Sequence, residues 1–238
     1  MSGFFVTGTD TECGKTEVSL GLMAAWQTRG LQVLGMKPVA SGCDPSPAGL
    51  RNGDALRLQT QGSRAMPYAL VNPYAFAPPI APHIAAGKEG VEIETGPILS
   101  AYHRLAAECD LVVVEGVGGW RVPLSGRLSV SDLPKALGQP VILVVGLKLG
   151  CINHALLTVE SIRALGSTLA GWVANCRDPY LQASDEVLAT LAALIPAPCL
   201  GDIPWMESPD PATLAGRLRP DWWQIIGQDQ QDFAGFTG

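Results

Sequence analysis

Apolar residues along this chain gather in short unbroken runs, at residues 4–6, 33–36, 111–114, 141–145 and 169–174, with a weaker run at 199–203. A strand with one face in water alternates apolar and polar positions, whereas an unbroken run is the pattern of a parallel strand covered on both faces. Between the runs the period changes. Val18, Leu22, Ala25 and Trp26 recur at roughly helical spacing within 16–29, and stretches at 54–61, 98–108, 130–137, 154–165 and 181–194 also predict crossover helices. Strand and helix alternate along the chain, which predicts an α/β fold: a single domain over residues 1–226, its mostly parallel sheet flanked by helices on both faces. Residues 72–82, rich in proline and aromatic side chains, read as an irregular segment or an edge excursion near the site. Residues 227–238 read as a polar C-terminal tail whose composition favours disorder.

Composition narrows the class. The 238 residues suffice for one sizeable buried core. A formal charge of −6, with no basic stripe to relieve it, argues against a nucleic-acid surface. No apolar stretch approaches the roughly 20 residues that a membrane helix needs, so the aliphatic content is expected in the sheet and no membrane partner is expected. The first strand is not preceded by a cationic segment, a long apolar core or a small-residue cleavage site, so secretion is not indicated. Cys13, Cys43, Cys109, Cys151, Cys176 and Cys199 are scattered, with no Cys-x-x-Cys pair and no metal-ligand rhythm with His83, His103 and His154. Reduced thiols and a cytoplasmic location are the expectation.

The chemistry concentrates where the apolar runs end. The first run leads into Gly8-Thr9-Asp10-Thr11-Glu12-Cys13-Gly14-Lys15-Thr16 and then into a helix. Glycines let successive backbone N–H groups turn inward around phosphate oxygens, and the helix N-terminus adds positive potential. Lys15 can reach the outer phosphates, and Thr16 can offer its hydroxyl to Mg²⁺. This predicts a P-loop NTPase-like fold with a nucleoside triphosphate as ligand, although five residues rather than the usual four separate Gly8 from Gly14. In a parallel sheet the ligand crevice lies beyond the carboxyl ends of the strands. There the second run supplies Lys37 and Ser41, and the third supplies Glu115-Gly116-Val117-Gly118, whose carboxylate suits Mg²⁺. The fourth supplies Lys148 and the segment 150–153, whose backbone N–H groups could grip an anion. Asp54 either binds the metal or caps the helix that follows it. Asn175, at the end of the fifth run, either pairs with a base edge or shapes a turn.

Beyond these local signals, the ordered blocks GTDTECGKT, KPVASG, LRNGDAL, VNPYAFAPPIAPHIAA, VVVEGVGGW, PVILVVGLKLGCINHALLT, LAGWVAN and GDIPW, from residue 5 to about 205, resemble the dethiobiotin synthetases, ATP-dependent enzymes of biotin synthesis. The elongated phosphate loop is a feature of that family, whereas the region after Pro209 is not recognisable from it. The resemblance implies that 7,8-diaminopelargonate, CO₂ and ATP give dethiobiotin, ADP and phosphate. It implies Lys37 and Lys15 as the catalytic cations, with Thr16, Asp54 and Glu115 around Mg²⁺. Nucleotide would be held by Glu12, Cys13, Gly14, Lys15, Thr16 and Glu17 and bordered by Glu115, Gly116, Val117 and Gly118. Adenine would lie against Asn175, Cys176, Pro204, Trp205 and Met206. Thr11, Lys37 and Ser41 would contact diamine or carbamate. In a homodimer, Gly150, Cys151, Ile152 and Asn153 of one subunit would hold the carboxylate of substrate bound mainly by the other. Two rivals share the loop chemistry. Amide-forming synthetases of cobalamin synthesis would bring a glutaminase domain for which the chain has no length, and partitioning ATPases usually carry a lysine early in the loop, where this sequence has Thr9.

Overall fold

All six apolar runs fold as strands of one sheet in the computed structural model, which describes residues 3–219; the tail at 227–238 lies outside the described residues. The strands β1 (Gly3–Gly8) and β2 (Val33–Met36) are followed by three short ones, β3 (Val39–Ser41), β4 (Asp44–Ser46) and β5 (Gly49–Arg51). Then come β6 (Tyr74–Phe76), β7 (Leu111–Glu115), β8 (Val141–Leu147), β9 (Leu169–Cys176) and β10 (Cys199–Ile203). The main sheet has the order β10-β9-β8-β1-β7-β2 with every neighbour pair parallel. Because β7 and β8 flank β1, the chain reverses its direction of travel across the sheet at β1. The crevice of such a sheet opens at that reversal, beyond the carboxyl end of β1.

Both faces of the sheet are covered, which is why its strands read as unbroken apolar runs. Phe4, Val6, Val113, Ile142, Val144 and Val173 pack beneath α1 (Lys15–Gln27). Phe5, Val112 and Val114 face the other way, toward α5 (Thr95–Ala106). On the same side Leu143, Val145 and Trp172 meet α7 (Cys151–Ala164) and α8 (Ser184–Leu194). The helix α1 is buried on nearly every side, as a helix that is apolar all round must be.

The segment after Pro209, not recognisable from its residues alone, provides part of that cover. Asp210 caps α9 (Pro211–Ala215) by accepting from the backbone N–H groups of Ala212 and Thr213, and the helix then lies across α1. The crossing is close because Gly21 has no side chain. A Cβ there would stand 2.8 Å from Leu214 Cβ and 3.0 Å from Leu218 Cδ1. Gly21→Leu is therefore expected to overpack the crossing and cost about 1–3 kcal/mol. Thermal unfolding should show a midpoint lower by several degrees, and an unchanged midpoint would mean that α9 is not seated there.

Several expected boundaries shift for local reasons. The helix expected at 130–137 is a 3-10 turn (Val130–Asp132) closed by a Ser129–Asp132 capping box, followed by α6 (Leu133–Leu137) with Pro134 in its first turn. The helix expected from 154 begins at Cys151, because Gly150 adopts a left-handed conformation as its cap. Residues 151–153 are thus a helical turn rather than a loop. The stretch 72–82 contains β6, which pairs with β3, and ends where Pro82 starts α4 (Pro82–Lys88). Two helices complete the chain, α2 (Gly53–Gln61) and α3 (Tyr68–Val71).

Candidate active site

At the carboxyl end of β1 the chain turns through the phosphate loop and enters α1 at Lys15. The loop is tied down from below. Thr9 N–H donates to Val144 O at 3.0 Å, and the Asn175 side-chain amide donates to Cys13 O at 2.8 Å. Gly14, the cap of α1, has φ 91° and ψ 33°, a left-handed conformation that glycine adopts without strain. Lys15 Nζ donates to Asp10 O at 3.0 Å across the loop, and Lys148 Nζ donates to Asp10 Oδ2 at 2.8 Å from the end of β8. The Lys148 ammonium lowers the Asp10 carboxyl below its usual range, and Asp10 in turn raises Lys148. Lys148 is therefore committed to shaping the loop.

Lys37 leaves the end of β2 into the crevice, and its backbone is held on both sides. Its N–H donates to Val71 O at 2.7 Å, and Asn72 Nδ2 donates to its carbonyl at 2.7 Å. Only 5% of the residue is exposed. Its ammonium donates to Glu115 Oε1 at 2.6 Å and Asp54 Oδ2 at 2.7 Å. Burial works against the charge, but Glu115 and Asp54 together more than offset it and hold Lys37 above the ordinary lysine range. Burial acts to raise the Asp54 carboxyl, yet the Lys37 ammonium prevails and lowers it. Lys37 is thus a fixed positive charge at neutral pH. Asp54 does not cap α2: Asn52 does, by accepting from Ala55 N–H at 3.2 Å, which leaves the Asp54 carboxylate to the crevice.

Glu115, at the end of β7, is fully buried. Its Oε1 also accepts from Thr16 Oγ1 at 3.0 Å, while its Oε2 has no hydrogen-bond partner among the described residues. A buried carboxylate oxygen without a donor, beside a hydroxyl and a second carboxylate, is the donor chemistry that a hard cation takes. Among the described residues no three His, Cys, Asp or Glu side chains converge on a metal site. A cation here would therefore rest on two carboxylates, the Thr16 hydroxyl and oxygens from outside the protein.

Loop, lysine and carboxylates open into a single cavity of about 740 Å³. Thr11, Glu12, Gly14, Lys15, Thr16, Glu17, Lys37, Ser41, Asp54, Glu115, Val117 and Gly118 all line it, so most of the sequence-derived site converges. Ser41 Oγ is buried with no partner among the described residues. Other expected residues stand elsewhere. The Cys13 side chain packs under the loop in the core, so only its backbone is left for a ligand. Asn175 uses a side-chain N–H to brace the loop, and neither it nor Gly116, Cys176, Pro204, Trp205 or Met206 lines the cavity. Gly150, Cys151, Ile152 and Asn153 do not line it either, and the Cys151 side chain is buried in the core under α7. Pro79, Ile80 and Val122, with Asn52 and Arg177, complete the cavity wall, and none of these was singled out from the sequence. The proline-rich stretch 72–82 was the signal for part of that wall.

A six-stranded parallel sheet with a glycine-rich loop closing on a buried helix defines a P-loop nucleoside-triphosphatase fold. Solved structures of that class agree. A chain of the MinC:MinD cell division protein complex of Aquifex aeolicus superposes with a TM-score of 0.58 at 12% identity, covering 95% of this chain and 96% of that one. A ParA family ATPase from Chlorobium tepidum gives 0.55 at 14% identity, covering 95% and 93%. In sequence, a family described as an AAA domain matches residues 2–213. Closer relatives carry a specific name. The ATP-dependent dethiobiotin synthetase BioD of Pseudomonas aeruginosa is 55% identical over 92% of this chain and 96% of its own length. BioD 1 of Escherichia coli O157:H7 is 50% identical over 88% and 93%. The chain belongs to the ATP-dependent dethiobiotin synthetase family.

Proposed function

We propose that this chain closes the ureido ring of dethiobiotin from 7,8-diaminopelargonate, CO₂ and ATP, releasing ADP and phosphate. As a member of its family it is an ATP-dependent ligase of biotin biosynthesis. The observation that carries the site assignment is that the phosphate loop and the buried Lys37 ammonium open into one cavity.

The proposed reaction begins when one substrate amine adds to CO₂ and loses a proton, giving a carbamate. A carbamate oxygen then attacks the γ-phosphorus and ADP departs, leaving a carbamic-phosphoric anhydride. The second amine attacks the carbonyl carbon, expels phosphate and loses its proton as the ring closes. Carbamate and triphosphate are both anions, so fixed positive charge has to offset their repulsion. Lys15 stands at the mouth of the loop, where it would neutralise the outer phosphates. Lys37 stands between the carboxylate pair and the cavity, where its ammonium would face both the carbamate and the transferring phosphoryl group. Mg²⁺ held by Thr16, Asp54 and Glu115 would add further positive charge at the β- and γ-phosphates. Thr11 and the unpartnered Ser41 hydroxyl are placed to donate to carbamate or diamine.

The adenine end of the nucleotide would extend past the loop toward Asn175, Cys176 and the segment 204–206. A homodimer accounts for two further features. The segment 150–153 stays out of its own chain's cavity, so its backbone N–H groups, apart from that of Cys151, which donates to Lys148 O, would serve a neighbour's substrate carboxylate. Leu149, beside it, is 94% exposed, and a homodimer interface there would cover it. A cytoplasmic site of action belongs to the same proposal. Among the described residues no helix is long and apolar enough to cross a membrane.

The test is to supply purified protein with bicarbonate, Mg²⁺ and ATP and to follow ADP with and without the diamine. ADP release should depend on the diamine and match dethiobiotin formed. Diamine-independent hydrolysis would instead mark a nucleotide-driven switch of the kind whose fold this chain shares.

A further inference from the structure

Resting on the proposed use of ATP, we propose that Arg177 binds the triphosphate, its guanidinium contacting phosphate oxygens from the outer side of the loop. Arg177 follows the end of β9, two residues beyond the Asn175 that braces Cys13. Its own N–H donates to Leu147 O at 3.3 Å, which fixes where its side chain departs from the sheet. The stem then passes over Gly146. An ideal Cβ on that glycine would lie 2.9 Å from Cys13 Cβ and 3.5 Å from Arg177 Cγ, so the arginine stem and the phosphate loop share one narrow space. From there the residue lines the same cavity as Gly14, Lys15 and Thr16 of the loop.

The accounting of charge in the cavity sets this residue apart. Lys37 is held by Asp54 and Glu115, and Lys15 by the Asp10 carbonyl. Glu17 is already paired with Arg57 at 3.1 Å. Among the described residues the Arg177 guanidinium makes neither hydrogen bond nor ion pair, although the residue lines the cavity into which the phosphate loop opens. A planar group with five donors and a permanent charge is suited to phosphate oxygens, which it can meet with two parallel hydrogen bonds. A charge that contacts phosphate but not the base would strengthen binding of any nucleoside triphosphate equally.

The experiment compares wild type with Arg177→Ala and Arg177→Lys. ATP is varied in steady-state turnover, with inorganic tripolyphosphate and adenosine as competitive inhibitors. For Arg177→Ala the KM for ATP and the Ki for tripolyphosphate should each rise about tenfold, the scale of a lost charge-assisted hydrogen bond. The Ki for adenosine should stay unchanged, and lysine should restore part of the loss. A KM and tripolyphosphate Ki equal to wild type would overturn the proposal, as would a loss confined to adenosine, which would place the guanidinium on the base. Calorimetric titration of tripolyphosphate into the protein reads the same contact without turnover. Diamine-independent ADP release would thus sink the ligase reading while leaving the phosphate contact separately testable.

Discussion

Lys37→Ala should lower kcat by about 10²–10³-fold, the scale seen when one fixed donor to a developing charge is removed, while ATP affinity falls only a few-fold. The asymmetry follows from where the ammonium sits. The backbone N–H groups of the loop, the end of α1 and Lys15 remain to hold the triphosphate in the variant. What is lost is a cation held at 2.6 and 2.7 Å by two carboxylates, aimed where carbamate and γ-phosphate would meet. Such a charge costs no reorganisation when the transition state forms. The substitution also leaves Glu115, fully buried, without its counter-charge. Breaking a buried pair costs about 3–5 kcal/mol, so the unfolding midpoint should fall and kinetics should be compared well below it. Lys37→Gln, which keeps a donor but not the charge, separates the two effects. Its stability should recover more than its turnover does. Equal losses of kcat and ATP affinity would mean that Lys37 merely positions the nucleotide.

Gly14→Ala is expected to weaken ATP binding by about a hundredfold, the scale of one or two lost hydrogen bonds to a charged group. Two independent problems meet at this position. At φ 91° a side chain is strained in its own backbone, and the new Cβ would stand 1.8 Å from Asn175 Nδ2. Relieving that overlap means breaking the Asn175–Cys13 hydrogen bond or moving the loop, and either outcome misdirects the N–H groups meant for phosphate. Gly90→Ala is the control. Its φ is also positive, at 68°, but nothing lies within 4 Å of the added carbon. That variant should carry the backbone strain alone, with ATP binding unchanged in a calorimetric titration. If both variants bound ATP equally well, the loop would not depend on its brace.

Much of the site was legible because its residues sit at the ends of apolar runs. Burial on both faces makes those runs conspicuous, and parallel strands deliver their ends to one crevice, so Lys37, Ser41 and Glu115 could be read off as rim residues. The phosphate loop was legible for a different reason: its chemistry is carried by consecutive backbone groups and leaves a local string. Asn175 shows the limit. Its position was evident, but its partner is the carbonyl of a residue far away in sequence, and no spacing rule connects the two. Asp54 shows the same limit, since capping and crevice-facing readings were equally consistent with the local sequence until Asn52 took the cap. Arg177 carries no signal in the local sequence, and only the shared cavity sets it beside the loop. The segment 211–215 is only five residues long, too short for a helical period to show, and its packing depends on the gap left by Gly21 on another helix.

From the chain alone one learns the class of the domain, its elements and its phosphate loop, because each rests on neighbours within a few residues and on the period of burial. The order β10-β9-β8-β1-β7-β2, the bracing of the loop by Asn175 and the clamping of Lys37 between Asp54 and Glu115 came from folding in three dimensions. Those partners are separated by 17 to 162 residues. Contacts across such distances depend on how whole strands and helices stack, and the local pattern of polar and apolar side chains carries no record of that.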